Sequence, residues 1–363
     1  MGIANQDAVK QFQKLMEEVD ESLKNTFENV HQGYRNETLM RFLKARDMNV
    51  GKAHKMLLDC LQWRIESEID NILAKPIIPN DLYRAVRDSQ LVGLSGYSKE
   101  GHPVIAVGVG QSTFDKASVN YYVQSHIQMN EYRDRVVLPS ATKKYGQYIG
   151  TCVKVLDMTG LRLSALNQIK LLTVVSTIDD LNYPEKTDTY YIVNVPYIFS
   201  ACWKVVKPLL QERTRRKIQV LQGSGKDELL KLHLFVYVLF GFLDDDNLTQ
   251  KMFMQIMDYA SLPHFCRKEG SGSSRHSDNG HTNNCFTLDH PFHQELYKFV
   301  KQQASLRESI APLKQGSFHV NFPETDPERA ELAKTIESEF QKFGNQNQNG
   351  LAKSLSGLRV NGA

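Results

Sequence analysis

The sequence predicts an α/β protein in which an N-terminal all-helical lobe precedes a lobe built on a mixed sheet of about five strands. Two patterns carry this prediction. Up to about residue 78, apolar residues recur every three or four positions, which is typical of amphipathic helices. After residue 90, short apolar runs bounded by turn residues alternate with helical stretches. That alternation indicates strands and helices packed in layers.

The N-terminal lobe, residues 1–78, is predicted to contain three main helices. The first covers Asp7 to Val30, and the second covers Glu37 to Asp47. The side chain of Asn49 can cap the N-terminus of the third helix. Pro76 and Pro79 end the lobe.

Arg64 lies on the apolar stripe of the third helix. A charged side chain at the end of a core face must be paired or must reach solvent. From the residues alone, a surface salt bridge is the more frequent outcome.

The second lobe, residues 79–269, is predicted to hold the sheet. Helices are expected near Asp81 to Asp88, over Val119 to Leu138, and from a cap at Ser164 to about Leu181. The predicted strands are Leu91 to Leu94, the run from Val104, Cys152 to Asp157, TYYIVNVP from Thr189 and KIQVLQG from Lys217. The run from Val104 is apolar throughout, which is typical of a strand covered on both faces.

The stretch from Ile198 to Leu210 has helical length, but its apolar residues occupy more than one face. Such a helix must be covered by core, by lipid or by a ligand. Glu185 precedes it, and a basic run follows it: Arg213, Arg215, Arg216 and Lys217. These charged ends could bind a charged head group.

Three motifs around this stretch occur in the order of a known family. They are YPEK at Tyr183, YYIVNVPYIFSACWKVVKPLL, and a Thr-x-x-Lys that enters a strand at Thr214. In this order they resemble the CRAL-TRIO family, and within it the SEC-fourteen-like phosphatidylinositol/phosphatidylcholine transfer proteins, including those of higher plants. The resemblance covers about Asn36 to Glu269. It implies a CRAL-TRIO N-terminal lobe at 1–78 and a lipid-binding CRAL-TRIO domain at 79–269, with the sheet flooring a hydrophobic pocket.

The resemblance also implies a head-group site and a gate. A phosphatidylinositol head group needs cations and donors for its phosphate and an acceptor for its ring hydroxyls. The implied head-group residues are Arg64, Glu185, Thr214 and Lys217. The implied gate-helix residues are Phe199, Trp203, Val206, Pro208 and Leu210. Pro208 weakens the end of that helix, which favours opening.

The phosphatidylcholine side departs from the family pattern. Cys152 and Lys154 stand where a family member has two hydroxyl residues, and Ile105 stands where it has Tyr. Lys154 could still meet a lipid phosphate. The candidates for facing a quaternary ammonium are Tyr121, Tyr122 and Tyr132, although tyrosines on a helix are more often packing residues.

The implied function is that of a protein that binds phosphatidylinositol, exchanges it for another phospholipid such as phosphatidylcholine at a membrane surface, and presents it to lipid kinases. Two alternatives stay open. A carrier of a sterol, tocopherol or retinoid would use the same apolar walls without needing the head-group residues. An interaction module could bind a small GTPase or a kinase without carrying lipid.

The sequence gives no support to several other functional classes of protein. The net charge is +3, from 44 basic and 41 acidic residues, so nucleic-acid binding is not expected. GVGQST at Gly108 and GSGKDE at Gly223 lack residues that nucleotide-binding loops need. A Gly-x-Ser-x-Gly elbow is absent, and the His and Cys residues lack zinc spacing. We therefore expect no enzyme, cofactor or metal.

Localisation follows from the cysteines and the N-terminus. Five dispersed cysteines favour a reducing compartment, and MGIANQDAVKQF lacks the apolar core of a signal peptide. We expect a monomer in the cytoplasm with transient peripheral association to membranes.

The block from Leu232 to Gln255 interrupts what runs directly from ELLK to IMDYASLPHF in family members. We interpret 232–255 as an insertion from alternative splicing or an imperfect gene model. The alternative is a real hydrophobic flap near the pocket. After it, residues 270–363 are expected to form a flexible linker, C-terminal helices and a disordered tail.

Overall fold

A computed structural model describes residues 3–162, 168–197, 199, 212–230, 256–267 and 284–308, with three isolated positions at 331, 334 and 338. The predicted cap at Ser164, the block 232–255 and the linker from residue 270 to 283 lie outside these residues. So do the strand and most of the helix expected after residue 308.

The N-terminal lobe consists of four helices and a 3₁₀ turn. The helices are α1 (Ile3–Glu17), α2 (Glu21–His31), α3 (Arg35–Ala45) and α4 (Val50–Glu66), and the turn covers Ile69–Ala74. All four helices contribute apolar side chains to one core cluster. This lobe is therefore helical in every described element, as predicted.

The prediction of one helix over Asp7 to Val30 is wrong. The helix ends at Glu17, and Asp20 has extended backbone, with φ −60° and ψ 150°, ahead of α2. The apolar stripe continues across the break, so periodicity alone did not reveal it. The predicted cap of α4 is confirmed, because the Lys52 amide donates to Asn49 Oδ1 at 2.9 Å.

The second lobe is built on five strands. They are β1 (Val92–Tyr97), β2 (Pro103–Gly108), β3 (Cys152–Asp157), β4 (Thr187–Val193) and β5 (Ile218–Val220), in that order across the sheet. The β1 and β2 strands are antiparallel, and the other neighbouring pairs are parallel. The predicted mixed five-stranded sheet is confirmed.

Helices precede and connect these strands. They are α5 (Asn80–Ser89), α6 (Val119–Tyr132), α7 (Leu138–Tyr145), α8 (Ile169–Asn182) and α9 (Glu212–Arg216). A π-helical segment, Arg133–Val137, joins α6 to α7, so the helix predicted over Val119 to Leu138 continues further with a local change of winding. The remaining helices are α10 (Lys226–Leu230), α11 (His264–Arg267) and α12 (Pro291–Glu308).

The two faces of the sheet differ in burial. One face carries buried residues such as Val104, Val155 and Tyr191, which pack with Leu229, Met257 and other apolar side chains into one core cluster. The opposite face carries two cross-strand rows, Ile105–Lys154–Tyr190–Ile218 and Val107–Leu156–Ile192–Val220. Of these eight side chains only Ile192 is buried; Val220 is exposed and the others are half-buried. The strand from Val104 is therefore fully covered on one face only.

The two lobes contact each other where α4 meets the end of α8. The rings of Trp63 and Tyr183 lie edge to face, with centroids 6.4 Å apart. The Cys60 thiol donates to the Asn182 carbonyl, and Arg41 Nη1 donates to the Pro184 carbonyl at 3.3 Å. The N-terminal lobe thus packs on the connection between α8 and β4, directly beside the YPEK motif.

Candidate functional site

Three charged side chains meet before the first residues of β4 and β5. Lys217 Nζ donates to Glu185 Oε2 at 2.5 Å and to the Thr187 carbonyl at 3.0 Å. Arg213 Nε lies 3.1 Å from Glu185 Oε1. We call Glu185, Arg213 and Lys217 the Glu185 cluster. It holds two cations around one carboxylate, and all three side chains remain partly accessible to solvent.

Local backbone structure positions this cluster. Glu185 has φ 56°, a left-handed conformation that non-glycine residues seldom adopt unless the surroundings hold it. Lys217 immediately precedes β5, and its carbonyl accepts from the Tyr190 amide at 2.7 Å, which ties the two strands together. Arg213 also donates to the Lys44 carbonyl at 2.7 Å, so the cluster reaches the N-terminal lobe.

Of the four residues predicted for the head group, the structure brings Glu185 and Lys217 together. Thr214 lies in α9, next to Arg213 in the sequence, and its side chain is outside the described part. Arg213 was noted in the basic run but not among the four predicted residues. Its contact with Glu185 makes it a fifth candidate.

Arg64 lies in a different set of contacts. Its side chain is 3% exposed, with Nη1 donating to Glu131 Oε1 at 2.8 Å and Nη2 donating to Asp70 Oδ1 at 2.6 Å. The Tyr183 hydroxyl also donates to Glu131, at 2.7 Å. Within the described residues, the hydrogen bonds of Arg64 go to these two carboxylates. Its role in head-group binding stays a prediction.

The Arg64 and Glu131 pair is ionised. Burial acts to lower the pKa of Arg64, but Glu131 and Asp70 outweigh burial and the pKa is raised well above its ordinary value. Burial acts to raise the pKa of Glu131, but Arg64 and Arg135 lower it to about 2. Both charges therefore persist at neutral pH, which makes this pair a buried ionic link between α4 and α6.

The tyrosines predicted for a choline group have other contacts. The Tyr122 hydroxyl lies 2.6 Å from Ser89 Oγ and accepts from the Lys116 amide at 2.9 Å. Tyr132 is buried, its ring packs on Phe292 and Phe299 of α12, and burial raises its pKa to about 12. Tyr121 is half-buried at the edge of the same apolar cluster. All three thus contribute to packing.

Lys154 lies in the middle of the half-buried sheet face. Its Nζ is 5.6 Å from the centroid of the Tyr190 ring and 3.8 Å from Asp179 Oδ2. Burial acts to lower its pKa, but Tyr190 and Asp179 outweigh burial and raise it. A permanent cation therefore stands on an otherwise apolar surface.

The gate residues lie almost entirely outside the described residues. Trp203, Val206, Pro208 and Leu210 are not described. Phe199 is half-buried, and its amide donates to the Pro196 carbonyl at 3.0 Å.

Sequence reasoning missed a second group of charged residues between the lobes. It comprises Arg41, Arg133, Asp134 and Lys186, all buried or nearly so. Arg41 lies within α3 between buried positions, which was the one available signal. The partners of a buried charge on another element cannot be obtained from the sequence periodicity.

Among the described residues, no helix combines the length and the apolar character that a membrane crossing needs. In the same part of the chain, no group of three or more His, Cys, Asp or Glu side chains is arranged to hold a metal ion.

Two family models match the sequence. The CRAL/TRIO, N-terminal domain model matches residues 8–59, and the CRAL/TRIO domain model matches residues 87–236. The chain belongs to the CRAL-TRIO family, which confirms the resemblance.

Sec14 and SFH proteins are among the relatives of this chain. SEC14 cytosolic factor of Eremothecium gossypii is 28% identical over 201 residues, covering 53% of this chain and 64% of the relative. Phosphatidylinositol/phosphatidylcholine transfer protein SFH7 of Arabidopsis thaliana is 29% identical over 199 residues, covering 53% of this chain and 36% of the relative. SFH4 of Arabidopsis thaliana is 30% identical over 200 residues, and the match covers 53% of this chain and 33% of the relative. The chain thus matches between one third and two thirds of the length of these relatives.

Among solved structures, the crystal structure of Sfh5 is similar to this chain. The match covers 70% of this chain and 94% of Sfh5, with 20% sequence identity and a TM-score of 0.47.

Proposed function

We propose that this chain is a phosphatidylinositol-binding and transfer protein that makes and breaks no covalent bond. The observation that carries the proposal is the Glu185 cluster, where Lys217 and Arg213 flank one carboxylate at partly accessible positions. The two cations supply donors for a phosphodiester, and Glu185 supplies acceptors for ring hydroxyls. The similarity to phosphatidylinositol/phosphatidylcholine transfer proteins SFH7 and SFH4 supports the lipid class.

The acyl chains need a dry apolar surface, and the half-buried sheet face is suited to supply it. Ile105, Val107 and Leu156 line this face without full cover. Burial of each methylene contributes about 0.8 kcal/mol, so two acyl chains would be held strongly on such a floor. The helix predicted over Ile198 to Leu210 is the proposed gate.

The second lipid is proposed to be phosphatidylcholine, with Lys154 as the cation for its phosphate. Lys154 Nζ lies 3.8 Å from Asp179 Oδ2, so a lipid phosphate there would share this cation with the carboxylate. Exchange of the two lipids at a membrane surface, presentation of phosphatidylinositol to lipid kinases, a monomeric state and a cytoplasmic location are parts of the same proposal.

A vesicle transfer assay tests the site. In the double variant Glu185→Ala and Lys217→Ala, we expect phosphatidylinositol transfer to fall about tenfold or more, since hydrogen bonds to charged groups are lost. The matched control is Lys55→Ala with Asp59→Ala, which removes an exposed ion pair of 2.9 Å on α4. Unchanged transfer in the first variant, with normal far-UV circular dichroism, would refute the assignment.

Native mass spectrometry of the purified protein tests the lipid class, with and without the block 232–255. Phosphatidylinositol at about one molecule per chain is expected. A sterol, tocopherol or retinoid in its place would identify another carrier, and no bound lipid in either form would favour an interaction module.

A further inference from the structure

A narrow, solvent-open cleft lies between the two lobes. One wall comes from α2, α3 and the turn between them, with His31, Tyr34 and Thr38. The opposite wall comes from α7 and the loop before β3, with Thr142 and Tyr148, and the rings of Tyr34 and Tyr148 lie 4.6 Å apart. Arg41, Asp134 and Lys186 also line the cleft.

The charges at the cleft do not balance. Asp134 is the one carboxylate among the lining residues, and it is shared by Arg133 Nε at 2.7 Å and Lys186 Nζ at 3.1 Å. Arg41 has no carboxylate within salt-bridge distance in the described part of the chain. Within the described residues it donates to the Pro184 carbonyl and to Thr38 Oγ1, the Tyr148 hydroxyl also interacts with it, and its buried Nε has no hydrogen-bond partner there.

These cations are withdrawn from water. Arg41 and Lys186 are each 8% exposed. A buried charge is unfavourable unless it is paired, and among the described residues Asp134 forms salt bridges with Arg133 and Lys186 while Arg41 has none. Lys186 responds to this environment: burial, followed by the nearby Arg41, lowers its pKa to about 7 in spite of Asp134. An anion in the cleft would relieve this imbalance.

We propose that the inter-lobe cleft binds a phosphate group through Arg41 and Lys186. Arg41 presents a planar fork of donors, Lys186 presents a point charge, and the hydroxyls of Thr38, Thr142 and Tyr148 stand in the same lining. This combination fits a tetrahedral anion with several acceptor oxygens better than it fits a single carboxylate.

The cleft is separate from the Glu185 cluster although the two sites use consecutive residues. Glu185 pairs with Arg213 and Lys217, whereas Lys186 pairs with Asp134. The phosphate could come from free inorganic phosphate or from a lipid head group, and the experiment below distinguishes these sources.

Isothermal titration of the lipid-stripped full chain with inorganic phosphate, against chloride at equal ionic strength, tests the proposal. We expect saturable binding in the wild type that weakens about tenfold or more in Lys186→Met, because one charge-assisted hydrogen bond is lost. Lys186→Arg keeps the charge and should retain binding. Tyr148→Phe, at the rim of the cleft, should weaken binding several-fold and serves if Lys186→Met fails to fold.

Two controls make the result specific. Lys44→Met removes an exposed lysine from α3 and should bind phosphate as the wild type does. Lys217→Met removes a cation from the Glu185 cluster, so it separates phosphate bound at that cluster from phosphate bound in the cleft. The absence of phosphate binding by the wild type would overturn the proposal, as would equal binding by Lys186→Met. Loss of binding in Lys217→Met alone would place the phosphate at the Glu185 cluster and would also overturn it.

The same titration on protein pre-incubated with phosphatidylinositol vesicles identifies the source. Phosphate binding that survives lipid loading means that the cleft takes a free phosphate. Binding that disappears on loading, while Lys186→Met lowers lipid uptake, means that a lipid phosphate fills the cleft.

Discussion

At the residue scale, Arg64 shows that a charge on an apolar stripe does not reveal which residues it pairs with. Its position predicted a pair at the edge of the core, and from the residues alone a surface pair was the more frequent outcome. The structure instead buries it between Glu131 and Asp70. The head-group role that the resemblance implies would require these carboxylates to release part of its guanidinium.

Glu131→Gln is predicted to destabilise the fold by about 3 kcal/mol, because it leaves the Arg64 charge buried with only Asp70 as a close carboxylate. Urea unfolding followed by circular dichroism measures this. Asp59→Asn breaks the exposed pair with Lys55 and should change stability by less than about 1 kcal/mol. Equal effects of the two substitutions would contradict the buried ion pair.

The pKa of Lys186 predicts how the stability of the fold depends on pH. Its pKa is lowered from 10.5 to about 7 in the folded state, where Arg41 and Arg133 face it together with Asp134. Between these two pH values the unfolded chain keeps a proton that the folded chain has lost, so stability rises with pH. Lys186→Met should flatten this rise in phosphate-free buffer. An unchanged slope between pH 7 and pH 10 would show that Lys186 is not the group responsible.

At the scale of elements, a helix boundary could be predicted only where the sequence near it carries a capping or breaking residue. Asn49 predicted the start of α4, and the structure confirms that its side chain caps this helix. The break between α1 and α2 left the apolar stripe intact, and the sequence pattern did not indicate the π-helical segment at Arg133–Val137. Element type could thus be predicted well, whereas interruptions within a continuous stripe could not.

Deletion of residues 232–255 is predicted to leave a cooperatively folded protein. The residues on either side of this block already meet, because the Met257 amide donates to the Leu229 carbonyl at 3.4 Å. Calorimetry should show a transition within a few degrees of the full chain, and light scattering should show less aggregation because an apolar segment is removed.

Leu229→Ala is a positive control for that junction, since Leu229 is fully buried and should lose about 2–5 kcal/mol. If the deletion destabilises the protein as much as Leu229→Ala does, the block belongs to the fold.

At the scale of the whole molecule, the two lobes share an interface that contains Trp63, Tyr183 and Arg41. The Glu185 cluster and the inter-lobe cleft both lie beside this interface, because the YPEK motif supplies residues to each. Separation of the lobes would therefore disturb both sites together.

Trp63 can report this interface. The sequence has two tryptophans, so Trp203→Phe leaves Trp63 as the single fluorophore. We expect its emission and the far-UV circular dichroism to change at the same urea concentration, because the lobes unfold as one cooperative unit. A Trp63 transition at lower urea would show that the lobes separate before they unfold.

The sequence by itself determined the order of helices and strands, the family, and the candidate pair of Glu185 and Lys217, because these depend on local periodicity and on motifs. The tertiary structure alone decided which sheet face is half covered, which carboxylates hold Arg64, and that Arg41 and Lys186 share a cleft. Arg64 and Glu131 are 67 positions apart in the chain. Partners at that separation are selected by how helices and strands pack, and packing is not contained in the pattern of any one segment.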